Sequence, residues 1–197
     1  MTAPRLILAS GSSVRRRMLA SAGVVFSVDP ADIDEAPLEG ESAFERGRRL
    51  ARDKALAVSA RAPGAIVLGC DQVGVTDDGR ALDKCWDEGA ATAQLMAMQG
   101  RAHTFLSAAA LARDGALLWE GEARATVWFR AFDENTARAY VTLSEWRGSA
   151  GSYQLEGRGA QLVEALDGSE SAVLGLPLLE VLGALRALAP GLSGLMP

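Results

Sequence analysis

The stretch Ala65-Ile66-Val67-Leu68-Gly69-Cys70-Asp71-Gln72-Val73-Gly74-Val75 constrains this chain most. Its apolarity is nearly continuous rather than alternating, the pattern of a strand buried on both faces at the centre of an α/β sheet. Asp71 interrupts the run. A carboxylate is expensive to bury unpaired, so Asp71 either lies at an opening or has a cation beside it. Structural ion pairing would meet that need, and so would a catalytic role; strongly perturbed acids concentrate at functional sites.

A second strand-to-helix junction opens the chain. Arg5–Ala9 reads as a buried strand, Ser10-Gly11-Ser12-Ser13 as a turn, and Val14–Ala22 as a helix stopped by Gly23. Serines cap helices, and the free N–H groups of a helix start attract anions. Arg15, Arg16 and Arg17 crowd the first turn, where the helix dipole disfavours cations by roughly 0.3–1 kcal/mol each. A bound phosphate would remove the conflict, although a Ser/Gly turn before an arginine-bearing surface helix needs no ligand. Successive residues step around the axis, so the three cannot share a face. Arg15 lies above Met18 and Leu19 on the inward side, Arg16 ranks second, and Arg17 falls to solvent.

The bounds are those of an ordinary domain. The chain has 197 residues, 49% of them hydrophobic and 23% charged, with a net charge of −5. That length forms one domain over 1–197, or a compact two-lobed unit, with 190–197 a frayed tail. The acidic balance argues against a general nucleic-acid or membrane-surface binder, so a small anionic ligand needs a local basic site. No apolar stretch reaches the roughly 20 residues of a membrane helix. No signal-peptide pattern precedes the first strand, and the expected location is cytoplasmic. Cys70 and Cys85 are too few for a disulfide framework or a zinc site, and His103 is the only histidine. A histidine triad is therefore not expected.

Other segments fill in the order. Val24–Val28 reads as a strand, followed by an acidic, proline-bracketed loop, Asp29–Pro37, whose carboxylates suit a metal carried by a polyphosphate. Ser42-Ala43-Phe44-Glu45 is a capping box opening a helix to about Ala60. Lys54 falls on or beside its apolar stripe, where a snorkelling lysine is the simplest reading. Asp77-Asp78-Gly79 signals a hairpin whose return strand, Ala81–Trp86, carries Lys84 back towards the level of Asp71. Helices are expected over Glu88–Met98, Glu134–Leu143 and Pro177–Leu188, and a β-ribbon over His103–Ala112 and Ala116–Ala131. Ser144–Gly159 is a glycine-rich loop long enough to bind something, and Ala160–Leu166 returns to strand.

The order is specific: a Ser-Gly-Ser turn with Arg15, an acidic loop ending Asp34-Glu35, Ala51-Arg52-Asp53-Lys54-Ala55, Gly69-Cys70-Asp71-Gln72, Lys84 after a hairpin, Ala150-Gly151-Ser152-Tyr153-Gln154-Leu155-Glu156-Gly157, and Val173-Leu174-Gly175-Leu176-Pro177-Leu178. From Leu6 to about Leu188 the chain resembles the Maf-like family of nucleoside triphosphate pyrophosphatases. The resemblance implies an α/β fold with an elongated mixed sheet, flanking helices and two lobes around a central cleft. It also implies a hydrolase acting on phosphoric anhydrides, which converts a nucleoside triphosphate to the monophosphate and pyrophosphate with Mg²⁺ or Mn²⁺. By position, Ser10, Ser12 and Arg15 match the phosphate-gripping turn, with Arg16 beside it. Lys54 and Lys84 match two cleft lysines, which reverses the snorkelling reading of Lys54. Glu35 matches an acidic-loop residue that helps hold the metal, and Asp71 the proton acceptor, with metal coordination as its other route.

The resemblance also separates two branches. One, acting on dTTP and UTP, has Arg, Thr and Gln where this chain has Val14, Gln72 and Glu156. The other, acting on 7-methyl-GTP, has Trp, Gln and Glu. Gln72 and Glu156 side with the second branch, and Val14 departs from both. A carboxylate at 156 could accept hydrogen bonds from guanine N1–H and N2–H₂ or pair with a methylated ring. Ser13 and Cys85 stand where the family usually has proline. Trp86 could replace the missing stacking platform, with a packed tryptophan as the simpler reading. The family's link to septum formation leaves a non-catalytic nucleotide-binding regulator of cell division as the competing class, and a homodimer is left open as an assembly.

Overall fold

A computed structural model describes residues 5–192. The chain order is β1 (Leu6–Leu8), α1 (Ser13–Ser21), β2 (Ser27–Val28), α2 (Ala43–Ser59), β3 (Ile66–Thr76), β4 (Ala81–Leu82), α3 (Glu88–Met98), β5 (Ala102–Arg113), β6 (Ala116–Phe129), α4 (Glu134–Val141), β7 (Val163–Gly168), α5 (Glu170–Val173) and α6 (Leu178–Leu188). A seven-stranded sheet runs β2-β1-β3-β5-β6-β7, with β4 paired to β3 off this path. It is mixed, as expected: β1 is parallel to β2 and β3, whereas β3–β4 and β6–β7 are antiparallel. Asp114 and Gly115 join β5 to β6 at φ 52° and 77°, the positive pair that a tight hairpin requires.

The described residues form two compact units, one from 5–72, 107–123 and 175–192, the other from 73–106 and 124–174. In the first, alternation along β1 and β3 divides two cores. Leu6, Leu8, Ile66, Leu68 and Cys70 pack with Leu19, Leu176, Val181 and Leu185. Ile7, Ala9 and Val67 face the opposite way onto Val58. Because successive strand residues point to opposite faces, covering both sides of β3 accounts for its continuous apolarity. Gly69 lets α2 approach closely: a Cβ there would stand 2.5 Å from the Ala55 nitrogen. In the second unit the core is aromatic, with Phe105, Phe129, Tyr140, Trp146 and Tyr153 packed around Leu95 and Met98.

The Ser42–Glu45 box is complete, as expected, and Asp133 caps α4. Asp87, not anticipated as a cap, caps α3. β2 and β4 are cut well short of their patterns. β2 is only Ser27–Val28, because the Val24 N–H bonds the Leu19 carbonyl and is spent closing α1; Val25 is 74% exposed. β4 stops at Leu82 because the Gln94 side chain takes both backbone groups of Asp83, at 3.2 and 3.0 Å. Lys84 therefore does not extend the strand and makes an isolated bridge to Ala150. Before β7, Arg158–Leu162 is a 3₁₀ turn, so the first residues of the expected strand, Ala160–Leu162, are not strand. Of the tail expected to fray, 190–192 form a further 3₁₀ turn, and 193–197 lie outside the described residues. Among the described residues no helix is long and apolar enough to cross a membrane.

Candidate active site

The first unit gathers most of the expected residues. The turn after β1 begins α1 with Ser12 as its N-cap, the hydroxyl accepting the Arg15 N–H at 3.3 Å. Ser10 Oγ accepts the Ser12 N–H at 3.3 Å and Arg15 Nη1 at 3.0 Å. No acidic residue occupies the first helical turn. The sequence expectation was that an anion would resolve the charge conflict; part of it is resolved by protein oxygens. Arg15 Nε donates to the Gly175 carbonyl at 2.7 Å and Nη1 to the Cys70 carbonyl at 3.0 Å. The guanidinium is thereby fixed beside the residue that precedes Asp71. Arg16 and Arg17 are exposed.

Gly175 sits in the turn before α6 at φ +98°, a backbone conformation that glycine adopts without strain. A Cβ at this position would meet Arg15 Nε at 3.4 Å and Gln72 Oε1 at 3.6 Å. The Gly-Leu-Pro segment thus brings its carbonyl to Arg15 while leaving room for Gln72. Val14, one residue before Arg15, is half-buried.

Strand β3, helix α2 and the acidic loop meet at a second cluster. Lys54 Nζ lies 2.7 Å from Asp71 Oδ1 and 2.7 Å from Glu35 Oε1. The Lys54 and Asp71 side chains are 10% and 11% exposed and that of Glu35 is 57% exposed. The interrupted strand therefore has the cation that its burial demands, and the snorkelling reading of Lys54 is replaced by an ammonium enclosed between two acids. Burial pushes the thiol of the neighbouring Cys70 up to about 12, so it stays protonated and unreactive. Both cysteines are free.

Glu35 and Asp71 offer hard carboxylate oxygens directed at one cation. Mg²⁺ is commonly held by one or two carboxylates plus substrate phosphates and water, and this donor set fits that requirement. Among the described residues no group of three or more His, Cys, Asp or Glu could hold a metal on its own.

Lys84 and Glu156 belong to the second unit, and both are exposed. Their segments are stitched together there: Lys84 bridges Ala150, and Gln94 Nε2 donates to both the Asp83 carbonyl and Ser152 Oγ. The glycine-rich loop is anchored by Tyr140, whose hydroxyl accepts the Gln154 N–H at 3.0 Å, and by Glu145, which accepts the Arg158 N–H at 2.8 Å. Trp86 is 84% exposed, so the packed reading of this residue is wrong. His103 is buried against Tyr153, 2.9 Å from its hydroxyl, within an aromatic cluster. The carbonyls of Cys70 and Gly175 were not anticipated as Arg15 partners. The glycine of the C-terminal motif was the one available signal.

A family model described as "Maf-like protein" matches residues 5–188. A "7-methyl-GTP pyrophosphatase" from Mesorhizobium japonicum is 41% identical over 192 residues, covering 93% of this chain and 96% of the relative. A "Nucleoside triphosphate pyrophosphatase" from Nitrobacter winogradskyi is 42% identical over 188 residues, covering 92% and 93%. The crystal structure of a "Nucleoside-triphosphatase / dITP/XTP pyrophosphatase" from Mycobacterium abscessus aligns over 98% of each chain at 20% identity with a TM-score of 0.44. Because the family model spans residues 5–188, and with them the turn, the acidic loop, Lys54 and Asp71, the chain belongs to the Maf-like protein family.

Proposed function

We propose that this protein is a hydrolase of phosphoric anhydrides that cleaves a nucleoside triphosphate to the monophosphate and pyrophosphate. The observation that carries the reading is the Glu35–Lys54–Asp71 cluster, placed one residue along β3 from the carbonyl that fixes Arg15. The relatives bearing pyrophosphatase names at 41% and 42% identity support it.

One P–O anhydride bond breaks and one P–O bond to water forms, so the site must steady phosphate charge and take a proton from water. Arg15, locked by Ser10 and two carbonyls, presents its remaining donors and the α1 N-terminus to phosphate oxygens, with Ser10, Ser12 and Arg16 alongside. Lys54 and Lys84 supply further positive charge as negative charge spreads over the phosphates. Asp71 accepts the water proton, directly or by orienting the water through metal coordination. Glu35 and Asp71 would hold Mg²⁺ or Mn²⁺, which supplies Lewis-acid charge neutralisation when bound. Base choice falls to Val14, Gln72 and Glu156. Glu156 and the 7-methyl-GTP relative favour a guanine-type, 7-methylated base, and the role is clearance of modified nucleotides from the pool.

The test is pyrophosphate release from 7-methyl-GTP, dTTP, UTP and CTP with Mg²⁺ or Mn²⁺. Asp71→Asn is expected to fold and to lose roughly 10²–10⁴-fold in rate, the range for removing a general base. Wild-type turnover by a folded Asp71→Asn variant would remove the centre of the mechanism. No turnover on any substrate would favour the nucleotide-binding regulator.

A further inference from the structure

A single ammonium serves two acids that come from different parts of the first unit. Asp71 is delivered by a central strand and Glu35 by a loop, and each lies 2.7 Å from Lys54 Nζ. The surroundings are lopsided. Asp71 and Lys54 are enclosed, whereas more than half of the Glu35 side chain meets solvent. The loop bearing Glu35 does not depend on Lys54 for its anchorage. Arg61 holds Asp29 with two bonds, at 3.0 and 2.8 Å, and the Pro30 carbonyl at 3.0 Å. Arg49 holds the Ala36 carbonyl at 3.0 Å and Glu41 through a fork at 2.6 and 2.8 Å. Glu35 can exchange its cation while the loop stays in place.

Resting on the pyrophosphatase reading, we propose that Lys54 is a positioning residue which occupies the place of the divalent cation between Glu35 and Asp71 in the nucleotide-free protein and leaves it when the metal arrives. The charges favour such an exchange. Two carboxylates and one ammonium leave one net negative charge, with two of the three ammonium donors directed at the acids. A divalent ion neutralises both acids and releases the ammonium to meet the phosphates. No proton has to move. The tethered ammonium keeps two mutually repelling acids converged in advance, at the cost of competing with free metal. The nucleotide-free protein therefore binds free metal weakly, with its binding geometry already built.

The experiment is calorimetric titration of Mn²⁺ into the nucleotide-free full-length protein, comparing wild type with Lys54→Met, Lys54→Gln and Lys54→Arg. The two neutral variants are expected to bind Mn²⁺ about tenfold more tightly than wild type, a typical coupling between competing occupants of one site. Lys54→Arg retains the competing charge and is expected to stay as weak as wild type. Lys54→Met strands Asp71 without a donor; Lys54→Gln keeps one, so the comparison stands on the glutamine variant if the methionine variant does not fold. Mn²⁺ affinity in a folded neutral variant that is equal to or below that of wild type overturns the exchange. Pyrophosphate release with unchanged Mn²⁺ affinities would overturn the exchange and spare the activity. Tighter Mn²⁺ binding without pyrophosphate release from any nucleotide would overturn the activity and spare the exchange.

Discussion

Arg15 Nε donates to the carbonyl oxygen of Gly175, 160 residues further along the chain, at 2.7 Å. Two more bonds from Nη1, to Ser10 Oγ and the Cys70 carbonyl, make this guanidinium the junction of β1, β3 and the turn before α6. A lysine ammonium is a compact point charge at the end of a flexible stem and cannot reproduce the planar fork. Arg15→Lys is therefore expected to lose about 2 kcal/mol of stability, the range for hydrogen bonds from a charged group, together with much of its kcat/KM. Urea midpoints and pyrophosphate release, measured on the same preparation, check both. Unchanged stability would show that the three bonds do not hold the junction.

Gly69 tests how the packing of α2 sets the site. An added Cβ would collide with the backbone of Ala51 and Ala55, and Lys54 lies between those positions on the same helix. Gly69→Ala has no flexible side chain to push aside, so α2 must shift. Overpacking of this kind costs about 1–3 kcal/mol. The variant is expected to lower the urea midpoint and to reduce turnover by moving Lys54 with the helix. A loss of stability with full turnover would separate the packing from the site.

What could be read from the chain, and what could not, divides on physical grounds. The two-faced apolarity of β3 and the Ser42–Glu45 box are patterns of residue type, and both appear where residue type places them. The Asp71–Lys54 pair was legible in part, because a buried acid requires a cation somewhere. The carbonyls that hold Arg15 were not, since a backbone acceptor leaves no mark on residue identity. The early end of β4 was hidden for a similar reason: Gln94 competes for the Asp83 backbone from 11 residues away, and no strand propensity registers that. Trp86 misled because large aromatic residues are usually buried, whereas here the indole stands in solvent.

The exposure of Trp86 gives a prediction of its own. A side chain with little packing has little folded-state contact to lose, and surface substitutions usually stay within about 0.5 kcal/mol. Trp86→Ala should leave the thermal midpoint nearly unchanged. A marked fall would mean that the indole is covered in solution.

Val14 is the proposed site of base preference, half-buried at the residue before Arg15. A tryptophan introduced there would add an aromatic face for a cationic methylated ring, worth roughly 0.5–2 kcal/mol. Val14→Trp is expected to raise kcat/KM for 7-methyl-GTP relative to dTTP by severalfold, with Arg15 and Asp71 untouched. An unchanged ratio would remove position 14 from the specificity set.

His103 sets an acid limit on the second unit. Burial among Phe105, Phe129 and Tyr153 lowers its pKa from 6.5 to about 4, and Nδ1 is buried without a hydrogen-bond partner. The folded state resists protonation while the unfolded state accepts it near 6.5. Between those values the unfolded chain binds the extra proton, so stability rises with pH across the window and falls on acidification. The slope can reach about 1.4 kcal/mol per pH unit, amounting to about 3 kcal/mol over the interval. Urea midpoints measured from pH 7 down to pH 4 should show this decline in the wild type. His103→Gln, which has no ring to protonate, should decline less steeply over the same interval even though its stability at pH 7 is lower. Parallel slopes in the two proteins would place the acid sensitivity elsewhere, in the carboxylates that pair with arginine at the surface.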